Sequence, residues 1–249
     1  MASIKFKVES GVQLLARLTK KPVIENFYSN LFQPGLKQDD VVEIIGEEIP
    51  SNLLIDLITE ALLPIKKNVE PIGVLLFNTI GKFNYEDLII TLKKRIGASE
   101  MEDHLQKALN NFFILDIYDT TQMYTTIHNL DNLLSKHHEI SLLIFDNLTA
   151  FYWSEQGFKI TKMDSYIRNL IKIIQKVIKE HKVIIIYTRP RHFSSNKDSG
   201  NPNIQFIDGV NYRVLVESNN SKSYNLIVRT NNLCYPKYMS LEDNQINWI

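Results

Sequence analysis

Ser141-Leu142-Leu143-Ile144-Phe145-Asp146, running on into Asn147-Leu148-Thr149-Ala150-Phe151-Tyr152-Trp153, decides how this chain is read. An apolar run of branched and aromatic side chains predicts a strand buried on both faces. A carboxylate at the end of such a strand lies in the crevice outside the carboxyl edge of a parallel sheet, where α/β proteins hold ligands. In nucleotide triphosphatases an aspartate there orients magnesium. Asp146 can equally cap the turn that follows it.

Working outward, four more apolar runs predict strands: residues 41–45 ended by Gly46, 72–77, 112–118 and 183–188. Between them lie helical patterns. One opens at Pro50 or Ser51 and stops before Pro64; another is capped by Asn84 and closed by Gly97. Ser99-Glu100-Met101-Glu102 has capping-box spacing, residues 121–137 are helical, and Asp164 is a cap for a helix carrying Ile167, Leu170 and Ile174. Residues 194–203 are polar throughout. Beyond them the runs 212–217 and 224–229 flank a long turn, and 238–241 with 246–249 predict a last hairpin. The fold class expected is α/β: a mostly parallel twisted sheet flanked by helices, with C-terminal antiparallel hairpins on the same sheet.

Composition narrows the function. Lys+Arg and Asp+Glu both number 28, which excludes nucleic-acid binding by bulk charge; such contact has to be local or supplied by a partner. A single cysteine, Cys234, excludes an internal disulfide framework and a cysteine zinc cluster, and it has no neighbour marking a nucleophile, so a structural role is expected. The N-terminus has no signal-peptide core and no apolar run approaches the ~20 residues of a membrane span, so a soluble intracellular protein is expected. His137-His138 ends a helix, where a cation suits the dipole.

Strand, glycine, loop and helix after residues 41–45 is the layout of a phosphate-binding loop. That loop works through G-x-x-x-x-G-K-[ST], with backbone N–H groups around the phosphates, a lysine on the β/γ charge and a hydroxyl on magnesium. Here the stretch is Gly46-Glu47-Glu48-Ile49-Pro50-Ser51-Asn52-Leu53. The second glycine and the lysine are missing. Pro50 removes an N–H, and Glu47 and Glu48 place negative charge where an anion would sit. Ser51 remains as a candidate for the hydroxyl position. The degenerate nucleotide site is therefore Gly46, Ser51 and Asp146, and no cofactor is expected, neither ATP nor magnesium.

Residues 9–18, Asn30-Leu31-Phe32 and residues 142–153 resemble a RecA-family recombinase paralogue, most distinctively in Leu15-Ala16-Arg17-Leu18 and Ala150-Phe151-Tyr152-Trp153. The resemblance covers essentially the whole chain and implies a RecA-like core over residues 41–249, with residues 1–40 as a lead-in segment packing on it. Active members carry Asp-Thr-Glu after the second core strand, the glutamate activating water. Asn78-Thr79-Ile80 stands here, and isoleucine cannot accept a proton. The family's fifth strand ends in a glutamine that senses the γ-phosphate, whereas this chain has Arg189-Pro190. Asn78, Ile80 and Pro190 are thus lost catalytic positions, and the chain reads as a pseudo-ATPase.

The resemblance further implies a partner, another RecA-like paralogue subunit, and action in homologous-recombination repair in the nucleus. Leu14, Leu15 and Leu18 are candidate partner contacts, unless that helix packs on its own core. Residues 194–203 correspond to the family's second DNA-binding loop. Arg189, Arg191 and Lys197 could meet phosphates of single-stranded or branched DNA and Phe193 could stack on a base; the bland reading is a solvated loop. The alternative function is a DNA-stimulated ATPase with an atypical nucleotide site.

Overall fold

The structure is a computed structural model that describes residues 11, 14, 18, 21, 24–64, 70–97, 101–156, 161–191, 207–220, 222–243 and 245–249. Among the described residues nine strands form one sheet: β1 (Val41–Gly46), β2 (Gly73–Asn78), β3 (Phe112–Asp116), β4 (Ile140–Asp146), β5 (Ile184–Pro190), β6 (Tyr212–Asn220), β7 (Ser223–Arg229), β8 (Cys234–Glu242) and β9 (Gln245–Trp248). Their order is β3-β2-β4-β5-β1-β6-β7-β8-β9. The pairs from β3 through β6 are parallel, and those from β6 to β9 are antiparallel. This is the mostly parallel core with antiparallel strands on one edge that the sequence predicts, consistent with a RecA-like core.

Helices α1 (Ser51–Leu62), α2 (Tyr85–Ile96) and α3 (Met101–Asn110) cover one face; α4 (Thr120–Lys136), the short α5 (Tyr152–Glu155) and α6 (Met163–Val177) cover the other. Alternation along each strand feeds the two cores. In β4, Leu142 and Ile144 join the first while Leu143 and Phe145 join the second, where Phe77 and Phe145 stack at 4.2 Å. Asn84 caps α2 by accepting from the N–H groups of Glu86 and Asp87, as predicted. α6 starts earlier than predicted: its N-cap is Lys162, so Asp164 lies in the first turn.

The C-terminal hairpins differ from expectation in length. Pairing of β6 with β7 continues to Asn220↔Ser223, so the strands extend into the stretch expected to be a long turn. β8 begins at Cys234 and contains Pro236; β9 pairs only with Met239 to Glu242, so the proline faces the unpaired side. Before β1, Ile24, Phe27, Tyr28, Leu31, Phe32 and Leu36 are buried in the same core as α1. The Tyr28 hydroxyl donates to Asp56, and its ring meets Trp248 edge-on at 5.9 Å. At the amino edge of the sheet, Lys21 donates from Nζ to the Ile140 carbonyl at 2.9 Å, and burial pulls its pKa down to about 8.

Candidate functional site

Parallel pairing brings the ends of β1, β2, β4 and β5 to one edge. Gly46 lies in register with Pro190, and Asn78 with both Asp116 and Asp146. The sequence-predicted positions are therefore neighbours, although they are spread over more than half of the chain.

After β4 the backbone is fixed by hydroxyls. Thr79 Oγ1 donates to the carbonyls of Asp146 and Asn147, the second at 3.0 Å. Thr188 Oγ1 accepts from the Asn147 N–H at 2.7 Å and donates to Asp146 Oδ1 at 3.3 Å. Asn147 adopts φ 67°, a left-handed conformation asparagine tolerates, and its Oδ1 accepts from the N–H and hydroxyl of Thr149. Burial raises the Asp146 carboxyl above the ordinary aspartate range, against the Thr188 hydrogen bond and the nearby charge of Lys82, which pull it down. Asp146 still presents one carboxylate at the crevice, the minimum needed to favour a cation.

After β1 the geometry is apolar. A Cβ on Gly46 would lie 3.0 Å from Ile49 Cγ1 and 3.2 Å from the Val216 carbonyl, so the Ile49 side chain closes over the glycine. α1 starts behind Pro50 with no side-chain cap, and Ser51 is exposed. Counted from Gly46, the hydroxyl position of the phosphate-loop frame falls on Leu53, which is fully buried. A phosphate would meet Glu47 and Glu48, both exposed, and no cation from that loop.

Arg189 is a correction. Expected to meet DNA, it is 3% exposed and donates from Nε to Glu43 at 2.7 Å; Arg213 donates from Nε to the other Glu43 oxygen at 2.5 Å. A guanidinium committed inside the sheet cannot reach a phosphate backbone. Sequence reasoning passed over Glu43, but a carboxylate within Val-Val-Glu-Ile-Ile was itself the signal, since a buried charge requires partners. It also missed Thr79 and Thr188 as the hydroxyls holding Asp146 in place.

Arg191 pairs with Glu217 at 3.0 Å and is partly exposed. Phe193, Lys197 and Leu15 lie outside the described residues. Leu14 and Leu18 are exposed on helical backbone. Ile80 is 41% exposed just beyond β2, and Pro190 ends β5 without a side-chain amide. Asn78 donates from Nδ2 to Asp116 Oδ1 at 2.7 Å. Cys234 is exposed on β8. His137 meets Glu139 at 3.1 Å. Among the described residues no three His, Cys, Asp or Glu side chains gather to hold a metal, and no helix is long and apolar enough to cross a membrane.

No protein-family model matches the chain. It is similar to the DNA repair protein XRCC2 of Mus musculus, with 26% identity over 200 residues that cover 78% of this chain and 72% of that one. The matched length exceeds any single motif.

Proposed function

We propose that the chain is a non-catalytic subunit of a recombinase-paralogue complex. It acts in the nucleus in homologous-recombination repair of double-strand breaks and supports recombinase filaments on single-stranded DNA. The observation that carries this reading is the loop after β1: Ile49 lies over Gly46, Leu53 is buried at the hydroxyl position, and the loop has no lysine to meet a phosphate. Ile80 in place of a base argues the same way, because isoleucine at that position cannot take a proton from water. The similar mouse protein is named for DNA repair.

The partner is another RecA-like paralogue subunit, and single-stranded or branched DNA is reached through the complex. The neutral overall charge suits a protein that does not hold DNA alone. The lead-in segment, residues 1–40, belongs with the core, and Leu14 and Leu18 offer apolar side chains to the partner. Affinity purification of the tagged chain from its own cells tests this reading. A second RecA-like subunit recovered in stoichiometric amount is the expected result; a folded, monodisperse chain recovered alone overturns it.

The retained carboxylate of Asp146 favours one second reading, a DNA-stimulated ATPase with an atypical site. It requires magnesium–ATP binding that Asp146→Ala abolishes.

A further inference from the structure

At the carboxyl edge over β3, β2 and β4, apolar side chains face outward where a nucleotide crevice would be polar. Tyr118 beyond β3 is 74% exposed, Ile80 beyond β2 41%, and Trp153 on α5 57%. The segments carrying the two aromatic residues touch, since Thr120 Oγ1 at the start of α4 and Ser154 Oγ on α5 lie 3.2 Å apart. Asp116 and Asp119 at the end of β3 and Asp146 at the end of β4 bring carboxylates to this edge, with Lys82 as a cation beside Asp146, whereas Glu155 is taken up by the hydroxyls of Tyr124 and Tyr166.

Asn78 adds an independent sign. It is 7% exposed, spends its N–H on Asp116, and leaves Oδ1 buried without a hydrogen-bond partner. The strand end thus holds more acceptors than donors, beneath exposed aromatic faces.

We infer that this edge is a docking surface for a partner segment bearing arginine or lysine beside apolar side chains. The complement of surplus acceptors is a group made only of donors, and guanidinium and ammonium are such groups. An organic cation gains further attraction over the faces of Trp and Tyr. A phosphate backbone would meet the carboxylates of Asp116, Asp119 and Asp146, and a hydrated metal ion gains nothing from apolar walls. The inference deepens the adaptor reading and rests on it, for it gives the chemistry of the segment that the partner would present.

The test uses the full chain and a synthetic twelve-residue peptide of arginine, leucine and serine, read by tryptophan fluorescence. A control peptide has glutamate for arginine; a single-stranded oligothymidine and magnesium ion alone are the other probes. The expected result is a saturable response to the arginine peptide only. It vanishes in Trp153→Phe and weakens at least tenfold in Tyr118→Ser. A response to the glutamate peptide, the oligonucleotide or magnesium overturns the inference, as does an arginine response that both variants leave unchanged. Purification with Tyr118→Ser and Trp153→Ser separates the two readings. Recovery of the partner by the natural chain but not the variants supports the docking surface. Equal recovery by both overturns it and leaves the adaptor reading standing, while no recovery by the natural chain overturns the adaptor reading.

Discussion

The loop after β1 and the turn after β4 leave the same edge of one sheet, yet they keep different things. The turn after β4 keeps polar geometry, with Thr79, Asn147, Thr149 and Thr188 tying each backbone group around Asp146. The loop after β1 has exchanged it for apolar contact, with Ile49 on Gly46 and Leu53 in the core. The strands beneath are equally buried, and their register is continuous. A sheet of this kind holds its architecture through burial and pairing, so the chemistry at one strand end can disappear without disturbing its neighbour.

The largest test of that separation lies beneath the β1 loop. Glu43→Ala leaves Arg189 and Arg213 without the carboxylate that bridges them, and removing one partner of such a buried set costs about 3–5 kcal/mol. Denaturant unfolding is expected to show a loss of that size. A loss under about 1 kcal/mol would mean that the arginines find other partners and that β1 is looser than its burial implies.

Thr188→Val comes next, on the β4 side. It strips the Asn147 N–H and Asp146 of a partner while keeping volume, an expected cost of about 1–3 kcal/mol. If the substitution is neutral, the polar turn is ornament and the contrast between the two loops collapses.

A pH-dependent effect is expected at the opposite edge. The Lys21 amine stands at about 8 in the fold against an ordinary 10.5, because burial favours its neutral form. A depressed folded-state value means that the stability this residue contributes is complete above pH 10.5 and is lost as pH falls through about 8. Relative to Lys21→Met, the natural chain should therefore gain unfolding free energy between pH 8 and 10.5. Parallel curves for the two proteins would place the amine in water and detach the N-terminal segment from Ile140.

The smallest expected effect is none. Magnesium–ATP at about 5 mM should leave the melting temperature unchanged, whereas a site with a dissociation constant of about 0.1 mM would add about 2.3 kcal/mol. Asn52→Lys should not create a shift either, since the lysine would arrive above a glycine already covered by Ile49. A shift in the natural chain breaks the contrast at its root.

Much of this was legible in the sequence because the signals were local. The run from Ser141 to Asp146 gave a strand ending in a carboxylate, and the same alternation of apolar runs and helical patterns located β1, β2, β3 and β5. The absence of a lysine between Gly46 and Pro64 needs no structure to be seen. Arg189 was misread because its partner is 146 residues away in the chain, and a side chain beside a polar loop looks solvated until the sheet is closed. Ile49 was unreadable for the same reason: its contact with Gly46 depends on a backbone turn, not on a spacing. The hairpin lengths slipped because Ser218 to Asn220 are weak strand formers that cross-strand pairing carried into β6.

The sheet order also bears on how the protein is made. β1 is an interior strand whose two neighbours, β5 and β6, begin at Ile184 and Tyr212. At roughly 5–20 residues per second of synthesis, it spends on the order of 10–30 s before Ile184 follows it. During that wait Val41, Val42, Ile44 and Ile45 have no strand to pair with, and Glu43 has neither arginine. The nascent chain thus carries an unpaired apolar strand through more than half of its translation, and slow codons ahead of Ile184 would lengthen the exposure.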